Sequence, residues 1–255
     1  MLLALDVGNT KIACGIFEGN KLKSDLSIAT SIHRSPDEYA ALLFNLLPHH
    51  KIAKEDIKEA ILCSVVPPLV PVFEDLCQTY LGITMLVVEA GVKTGVRISM
   101  ENPREVGPDR IVNAAAAYKL YGGPAIVIDM GTATTFDVIS EEGDYIGGAI
   151  APGMEMASEA LFTRTARLPR IELLRPAHAI GKNTVSAMQS GVIFGYTGLV
   201  EGMVNRISKE LGKRPKVIAT GGYAHVIAKE TSVIETVNRH LTLYGLQLIY
   251  ELNRH

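Results

Sequence analysis

The chain has 255 residues, of which 47% are hydrophobic and 20% charged, and its formal net charge at pH 7 is −2. These values are typical of a soluble globular protein with one large or two small domains, and the balanced charge predicts no nucleic-acid partner. No apolar run approaches the ~18 residues of a membrane span, and Asp6 interrupts the N-terminal apolar stretch, which argues against a secretion signal. Three cysteines in apolar contexts predict buried, reduced thiols and a cytoplasmic location.

The first half of the chain predicts three strands and then an alternation of helices and strands. Ser35, Pro36 and Glu38 form a capping-box pattern that predicts a helix start within SPDEYAALLFNLL. An alanine-rich stretch predicts another helix, from near Pro108 to Gly122. The predicted strands are LLALDV, KIACGIF, the stretch around LKSDLSIAT, residues 60–66 and residues 84–89, with a helix at about 70–81 and a loop at 91–102.

The opening pattern returns about half a chain later. AIVIDMGTATTFDVI, residues 125–139, places Asp129 at the end of an apolar run, as LLALDV places Asp6, and YIGGAIAPG follows as a third strand. The second half is completed by predicted helices at about 154–163 and 184–212, a strand at 216–220 and a terminal helix at about 238–252. The repeat predicts a duplicated α/β unit, with domains at 1–117 and 118–255.

Each of the two repeated runs ends in a carboxylate followed by a turn of small residues. Such a turn lets backbone N–H groups approach an anion, and threonine hydroxyls add donors. Mg²⁺ takes only one or two carboxylates, so Asp6 and Asp129 together predict a site for ATP and Mg²⁺. The structural alternative is that each aspartate only closes its hairpin through an Asx-turn. Neither a Walker A loop nor a dinucleotide-binding fingerprint occurs. Lys11, after the first turn, is either a local cation or a solvated side chain.

A third candidate element is NPREVGPDRIVN, residues 102–113. Gly107 and Pro108 predict a helix start that places Asp109 and Arg110 in the first turn. Asp109 alone is explained by helix stability, because a carboxylate interacts favourably with a helix N-terminus. Adjacent to Arg110, it is also consistent with a base beside an anion-binding side chain at a cleft. The residues alone leave both interpretations open.

Six short motifs occur in a fixed order along the chain. They are DVGNT (6–10), NPREVGPDR (102–110), DMGTATT (129–135), GGAIAPG (147–153), IGKNT (180–184) and TGG (220–222). In this order the motifs resemble those of the type III pantothenate kinases, and the resemblance covers nearly the whole chain. Each motif is short, so the specificity of the resemblance comes from the order of all six.

The resemblance implies an α/β fold with two ribonuclease-H-like domains of the actin-like ATPase superfamily, from a duplicated unit, with ATP in the cleft between them. It implies ATP-dependent phosphorylation of pantothenate, the first step of coenzyme A synthesis. It further implies Mg²⁺ and a monovalent cation, K⁺ or NH₄⁺, as cofactors. A homodimer in the cytoplasm, with neither nucleic acid nor a membrane as partner, is also implied.

The resemblance also assigns roles to individual positions. The ATP contacts would be Asp6, Val7, Gly8, Asn9, Thr10, Lys11, Ile12, Ala13 and Thr132. Asp129 would bind the monovalent cation, and Gly221 with Gly222 would lie near the adenosine. The pantothenate contacts would be Gly107, Pro108, Asp109, Arg110 and Thr184. Among these, Asp109 would accept the proton and Arg110 would bind the substrate carboxylate.

Two positions depart from the common pattern of the family. Pro108 stands where an alanine is common, and proline is compatible with the first turn of a helix. Met100 precedes the Asn-Pro motif where many members carry a tyrosine that contacts substrate. A hydroxyl contact is therefore missing at this position, and Met100 is not assigned to the site.

Three alternatives to a pantothenate kinase are considered. A kinase of the same superfamily that acts on a sugar or on acetate would carry the same Asp-Gly turns, although the GPDR and GKNT segments favour pantothenate. An ATP-switched binding protein, such as actin or a heat-shock chaperone ATPase, is generally longer than 255 residues. A regulatory accessory protein that contacts DNA is disfavoured, because the sequence shows neither a helix-turn-helix nor a basic patch.

Overall fold

Two five-stranded sheets form the framework of the computed structural model, which describes residues 1–254. The described chain divides into two compact units. Unit 1 comprises Met1–Arg97, Glu101–Ala116 and the segment from His240 onward, and unit 2 comprises Ile98–Met100 and Ala117–Arg239. Within residues 1–254, no helix has the combination of length and apolar character that crossing a membrane requires.

The sheet of unit 1 is built around the strand that carries Asp6. Its strands, in the order β3-β2-β1-β4-β5, are β1 (Leu2–Val7), β2 (Lys11–Glu18), β3 (Lys21–Ala29), β4 (Glu59–Ser64) and β5 (Leu86–Val87). The central strand β1 is antiparallel to β2 and parallel to β4. The helices are α1 (Pro36–Leu46), α2 (Val70–Leu76), the start of α3 (Pro108–Tyr121) and α7 (Leu241–Asn253).

The sheet of unit 2 repeats this arrangement around the strand that carries Asp129. Its strands, in the order β10-β9-β6-β7-β8, are β6 (Ala125–Met130), β7 (Ala133–Ile139), β8 (Tyr145–Pro152), β9 (Lys216–Thr220) and β10 (Thr236–Val237). The central strand β6 is antiparallel to β7 and parallel to β9. The helices are α4 (Met154–Arg164), α5 (Thr184–Leu211) and α6 (Ala224–Ile227). The equivalent order of strands confirms the duplicated α/β unit that the repeat predicts.

Local sequence signals account for where most helices begin. Ser35 and Glu38 form the predicted capping box: the Ser35 Oγ accepts from the Glu38 N–H, and the Glu38 carboxylate accepts from the Ser35 N–H at 2.8 Å. Asn183 caps α5 in the same way, because its side-chain oxygen accepts from the Ser186 N–H at 2.8 Å. Each cap satisfies backbone donors that a helix leaves open at its start.

Some elements differ from their predicted lengths. The predicted helix at 70–81 is α-helical only to Leu76, and residues 77–81 form a π-helical turn that ends at Gly82 with a left-handed backbone. Of the predicted strand at 84–89, only Leu86–Val87 pairs with β4, at the edge of the sheet. The two-residue strand β10 and the four-residue helix α6 are too short to produce a periodic pattern.

The C-terminal helix α7 belongs to unit 1, so the compact units differ from the expected domains 1–117 and 118–255 at this helix. Its apolar side chains Leu243, Leu246 and Ile249 are buried with residues of β1, β2, β4 and α3. At Gly245 the helix passes so close to α3 that an added Cβ would lie 2.2 Å from the carbonyl oxygen of Val112. The terminal helix therefore covers one face of the first sheet, through a contact that leaves no room for a side chain.

We expect Gly245→Ala to destabilise the protein by about 1–3 kcal/mol, because the added methyl forces the backbone of α7 away from that of α3. This loss outweighs the gain of about 1 kcal/mol that alanine gives within a helix. Urea denaturation of the variant measures the change in the free energy of unfolding. Glu251→Ala, at an exposed position of the same helix, is the control and should change stability by less than about 0.5 kcal/mol. Equal stability of Gly245→Ala and the wild type would contradict the close contact.

Candidate active site

The turn between β1 and β2 is held by hydrogen bonds on two sides. Inside the turn, the Gly8 N–H donates to the Lys11 carbonyl at 3.1 Å. From the end of β3, the Thr30 N–H donates to the Thr10 carbonyl at 3.0 Å, and the Thr30 hydroxyl donates to the Gly8 carbonyl at 2.7 Å. The side chains of Asn9, Thr10 and Lys11 are exposed above this fixed backbone.

The predicted ATP-binding segment 6–13 contains two kinds of position. Val7 and Ile12 are fully buried in the core of unit 1, so their side chains are unable to face a ligand and only their backbone groups remain for one. Asp6, Gly8 and Ala13 are partly buried, at the boundary between core and surface. The chemistry available to a phosphate or cation therefore comes from the Asp6 carboxylate, the backbone and the three exposed side chains.

Asp109 lies in the first turn of α3, as the sequence predicts. The Arg110 N–H donates to the Gly107 carbonyl at 3.1 Å, which closes this turn. The Asp109 carboxylate lies over Gly107, where an added Cβ would be only 2.5 Å from its Oδ1 atom. Both Asp109 and Arg110 are partly buried. Gly107 thus gives the carboxylate the room it occupies.

The charges of Asp6 and Asp109 both act on the buried thiol of Cys63. Asp6 pairs with Cys63 across the parallel ladder of β1 and β4. Burial raises the pKa of the Cys63 thiol well above its ordinary value, and the negative charges of Asp6 and Asp109 raise it further. Both carboxylates are therefore close enough to act on one thiol, although more than a hundred residues separate them along the chain. The two acidic side chains form the centre of the candidate site in unit 1.

The turn between β6 and β7 has an equivalent position in unit 2. Asp129 pairs with Thr135 on one side and Thr220 on the other, and the Gly131 N–H donates to the Ala133 carbonyl at 3.0 Å. Gly131 and Thr132 are exposed at the tip of the turn. The Gly153 N–H, which follows β8, donates to the Thr132 carbonyl at 3.1 Å. Thr132 is therefore presented on a turn whose backbone is held by its neighbours.

The Asp129 carboxylate and the Met130 carbonyl oxygen both lie close to the backbone of Gly221. Gly221, at the end of β9, has a φ angle of +92°, and a Cβ there would lie 2.7 Å from the Asp129 Oδ1 atom and 2.6 Å from the Met130 carbonyl oxygen. Carboxylate and carbonyl oxygens are the groups that coordinate Mg²⁺ and K⁺ in proteins. The donor set at Asp129 therefore fits a cation. Mg²⁺ held through phosphate oxygens needs only one or two carboxylates, and the described residues 1–254 contain no cluster of three or more His, Cys, Asp or Glu side chains for a metal.

Thr184 lies at the first position of α5, in unit 2. It lines a cavity of about 870 Å³, whose other walls include Leu161, Leu168, Lys182, Met188 and Tyr196. The cavity is mainly apolar, and the polar side chains that line it are Lys182, Asn183, Thr184 and Tyr196. Such a surface fits a small organic molecule that has a few polar groups.

Sequence reasoning missed several residues that shape these turns. Thr30 holds the first turn, the charges of Asp6 and Asp109 both act on Cys63, and Gly153 packs against the second turn. Gly153 falls within the GGAIAPG motif, which offered a signal. Gly221, on the other side of the second turn, is among the residues that the resemblance assigns, near the adenosine. The position of Cys63 opposite Asp6 depends on the register of two parallel strands, which no local pattern encodes.

The two sheets, each with a carboxylate near the end of its central strand, form a two-unit α/β fold. Solved structures of other proteins share this fold. They include an activator of 2-hydroxyisocaproyl-CoA dehydratase from Clostridium difficile with bound ADPNP (TM-score 0.54, 13% identity, 99% of this chain and 94% of that one). A polyphosphate/ATP-glucomannokinase from Arthrobacter gives a TM-score of 0.51 at 15% identity over 99% of each chain. A Campylobacter jejuni protein described as a Baf family transcriptional activator gives 0.63 at 19% identity over 98% of each chain.

Sequence comparison identifies the family. The model of the type III pantothenate kinases matches residues 2–206. Type III pantothenate kinases from two strains of Dehalococcoides mccartyi, BAV1 and 195, are 54% identical over 253 residues, which are 99% of this chain and 96% and 98% of the relatives. The chain belongs to the type III pantothenate kinase family. The predicted family and the predicted kinase class are therefore confirmed.

Proposed function

We propose that this chain transfers the γ-phosphoryl group of ATP to pantothenate and so forms 4′-phosphopantothenate in the first step of coenzyme A synthesis. Family membership over nearly the whole chain supports the reaction. The observation that supports the site is the proximity of Asp6 and Asp109 to one buried thiol. In this proposal the carboxylate near the end of β1 serves as the cation-holding group, and the carboxylate at the start of α3 serves as the base.

The chain's own residues take three tasks in this proposal. The turn from Asp6 to Ala13 and the hydroxyl of Thr132 bind the phosphates of ATP, and Asp6 would hold Mg²⁺, which would neutralise phosphate charge. Gly107, Pro108, Arg110 and Thr184 contact pantothenate, with Arg110 on its carboxylate because a guanidinium matches that group in charge and geometry. Asp109 accepts the proton of the primary hydroxyl while that oxygen forms a bond to the γ-phosphorus and ADP leaves. Catalysis of this transfer depends mainly on positioning and on charge stabilisation.

We expect Asp109→Asn to fold normally and to lose about 10²–10⁴-fold in kcat, the usual contribution of a positioned base. Steady-state kinetics with ATP, Mg²⁺, K⁺ and pantothenate measure the loss, and mass spectrometry of the wild-type product identifies 4′-phosphopantothenate. Glu105→Gln makes the same change of charge at an exposed residue of the same segment, and its kcat should match the wild type. Unchanged turnover in Asp109→Asn would remove Asp109 from the role of base. A product from a sugar or acetate, with none from pantothenate, would assign the chain to another kinase of the class.

Asp129 is proposed to bind the monovalent cation, K⁺ or NH₄⁺. Two oxygen atoms close to Gly221, the Asp129 Oδ1 atom and the Met130 carbonyl oxygen, support this role. A cation bound only by the folded protein raises its thermal stability with increasing concentration. The proposed site therefore has a readout that does not depend on turnover.

We expect K⁺ to raise both the Tm and the activity of the wild type relative to Na⁺ at equal ionic strength. Asp129→Asn should remove most of the K⁺-dependent shift in Tm, because an amide lacks the negative charge that attracts the cation. Glu142→Gln, at an exposed residue of the β7–β8 turn, is the matched control and should keep the shift. Full activity of the wild type in Na⁺ alone, with no K⁺ or NH₄⁺ present, would contradict the requirement.

A homodimer is proposed on the exposed apolar side chains of unit 2. One face of the edge strand β8 presents Ile146 and Ile150 to solvent, and the Ile150 side chain is 66% exposed. Other exposed apolar residues of unit 2 include Met156, Leu161, Phe162, Leu174, Ile180 and Val185. Exposed apolar side chains are typical of a protein interface when they lie together, and a second copy of the chain is the simplest partner that covers them.

We expect the wild type to have twice the chain mass of 27.5 kDa in light scattering after size-exclusion chromatography. Ile150→Glu should shift the protein toward monomer, because it places a charge on the apolar face of β8. Val237→Glu makes a similar change at an exposed residue of β10, the opposite edge of the same sheet, and should leave the dimer intact. A monomeric wild type at micromolar concentration would rule out the proposed dimer.

We propose that the reaction takes place in the cytoplasm. Cys14, Cys63 and Cys77 are all buried as free thiols, and burial raises the pKa of each of them. Protected thiols of this kind are typical of a reducing compartment. Cell fractionation tests the location, and recovery outside the cytoplasmic fraction would contradict it.

A further inference from the structure

The β6–β7 turn that carries Thr132 lies between two loops whose backbones touch it. Strands β9 and β8 flank the β6–β7 hairpin on its two sides, and each is followed by a glycine that packs against the turn. A Cβ on Gly153 would lie 2.1 Å from the Thr132 carbonyl oxygen, and a Cβ on Gly221 would lie 2.6 Å from the Met130 carbonyl oxygen. The position of the turn therefore depends on where these two loops are held.

A side-chain hydrogen bond joins the first turn of α4, which follows one of these loops, to Tyr223, the last residue before α6 in the other. Tyr223, two residues after Gly221, donates its hydroxyl to the Oε1 atom of Glu155, two residues after Gly153, at 2.6 Å. The two residues are 68 positions apart in sequence, so the bond links two segments that are distant along the chain. Burial, together with the bond to Glu155 and its charge, raises the pKa of Tyr223 to about 12. The hydroxyl is therefore protonated at neutral pH and remains a donor to the carboxylate.

A second tyrosine anchors one of these loops to the long helix α5. The Tyr196 hydroxyl lies 2.7 Å from the Pro152 carbonyl oxygen and 3.0 Å from that of Gly153. The loop after β8 is thus fixed to the body of unit 2. Tyr223 then connects the loop after β9 to this anchored loop, across the hairpin.

We propose that the hydrogen bond between Tyr223 and Glu155 positions the Thr132 turn for the phosphates of ATP. Both residues are positioning residues, which act through the two glycine loops and not by touching substrate. The inference rests on the proposed role of Thr132 as a phosphate contact. Loss of the bond releases the loops and lets the turn move, so it weakens the binding of ATP more than that of pantothenate.

We expect Tyr223→Phe and Glu155→Ala each to raise the KM for ATP by about five- to tenfold, the range for losing one hydrogen bond to a charged group at a partly exposed position. The KM for pantothenate should change by less than about twofold. Glu155→Gln keeps an oxygen acceptor for the Tyr223 hydroxyl and should retain most of the wild-type KM for ATP. Calorimetric titration with a non-hydrolysable ATP analogue should give the same ranking of Kd without turnover.

Tyr80→Phe is the matched control, because the Tyr80 hydroxyl also donates to a carboxylate, that of Asp37, at 2.5 Å in unit 1. This variant should leave both KM values unchanged. Equal increases in both KM values for Tyr223→Phe, or an unchanged KM for ATP, would overturn the positioning role.

Thr132→Val separates this inference from the proposal on which it rests. Thr132→Val alone should weaken binding of the ATP analogue. The double variant Thr132→Val, Tyr223→Phe should bind the analogue almost as well as Thr132→Val does, because the Tyr223 hydrogen bond acts through Thr132 and its turn. If Thr132→Val leaves analogue binding unchanged, the proposed phosphate contact is wrong. If Thr132→Val weakens binding and Tyr223→Phe does not, the positioning role alone is wrong. Fully additive losses would show that Tyr223 acts independently of this turn and would also overturn the inference.

Discussion

The structure depends on a central strand in each sheet that is hydrogen-bonded to a neighbouring strand on both sides and carries an aspartate near its end. In each sheet the central strand has a hairpin partner on one side and a parallel strand on the other, so its register is fixed along its whole length. The fifth residue is aspartate in both, and the pattern of burial along the two strands is the same. Because the strand is unable to slip or twist without breaking two ladders, the carboxylate at its end is held in place before any ligand arrives.

The same constraint explains the need for glycine around the second turn. A hairpin that emerges between two neighbouring strands leaves little space for the loops that follow those strands. Gly153 and Gly221 provide that space, since a side chain at either position would collide with backbone atoms of the turn. At Gly221 the backbone also adopts a positive φ angle, which glycine reaches without strain. The position of the turn therefore depends on the two glycines that pack against it.

The sequence predicts most of the strands and long helices because each has its own periodic pattern and many have a clear start. The capping box at Ser35 and Glu38 and the helix start at Pro108 are examples. The family follows from six ordered motifs. The membership of α7 in unit 1 was not predictable, since an apolar helix face does not specify which sheet it covers. The proximity of Asp6 and Asp109 likewise depends on long-range packing, which becomes visible only through Cys63.

The two halves share one framework, but the residues that pack beside the two aspartates differ. In unit 1 the residue across the parallel ladder from Asp6 is Cys63, and the charge of a second carboxylate, Asp109, reaches that thiol. In unit 2 the equivalent residue is Thr220, and the chain continues into Gly221, whose backbone packs against the oxygens of Asp129 and Met130. A site with two carboxylates suits proton transfer beside a cation, whereas a site with one carboxylate and backbone oxygens suits cation binding alone. What packs beside two otherwise equivalent strands therefore supports the proposed base in unit 1 and the proposed monovalent-cation site in unit 2.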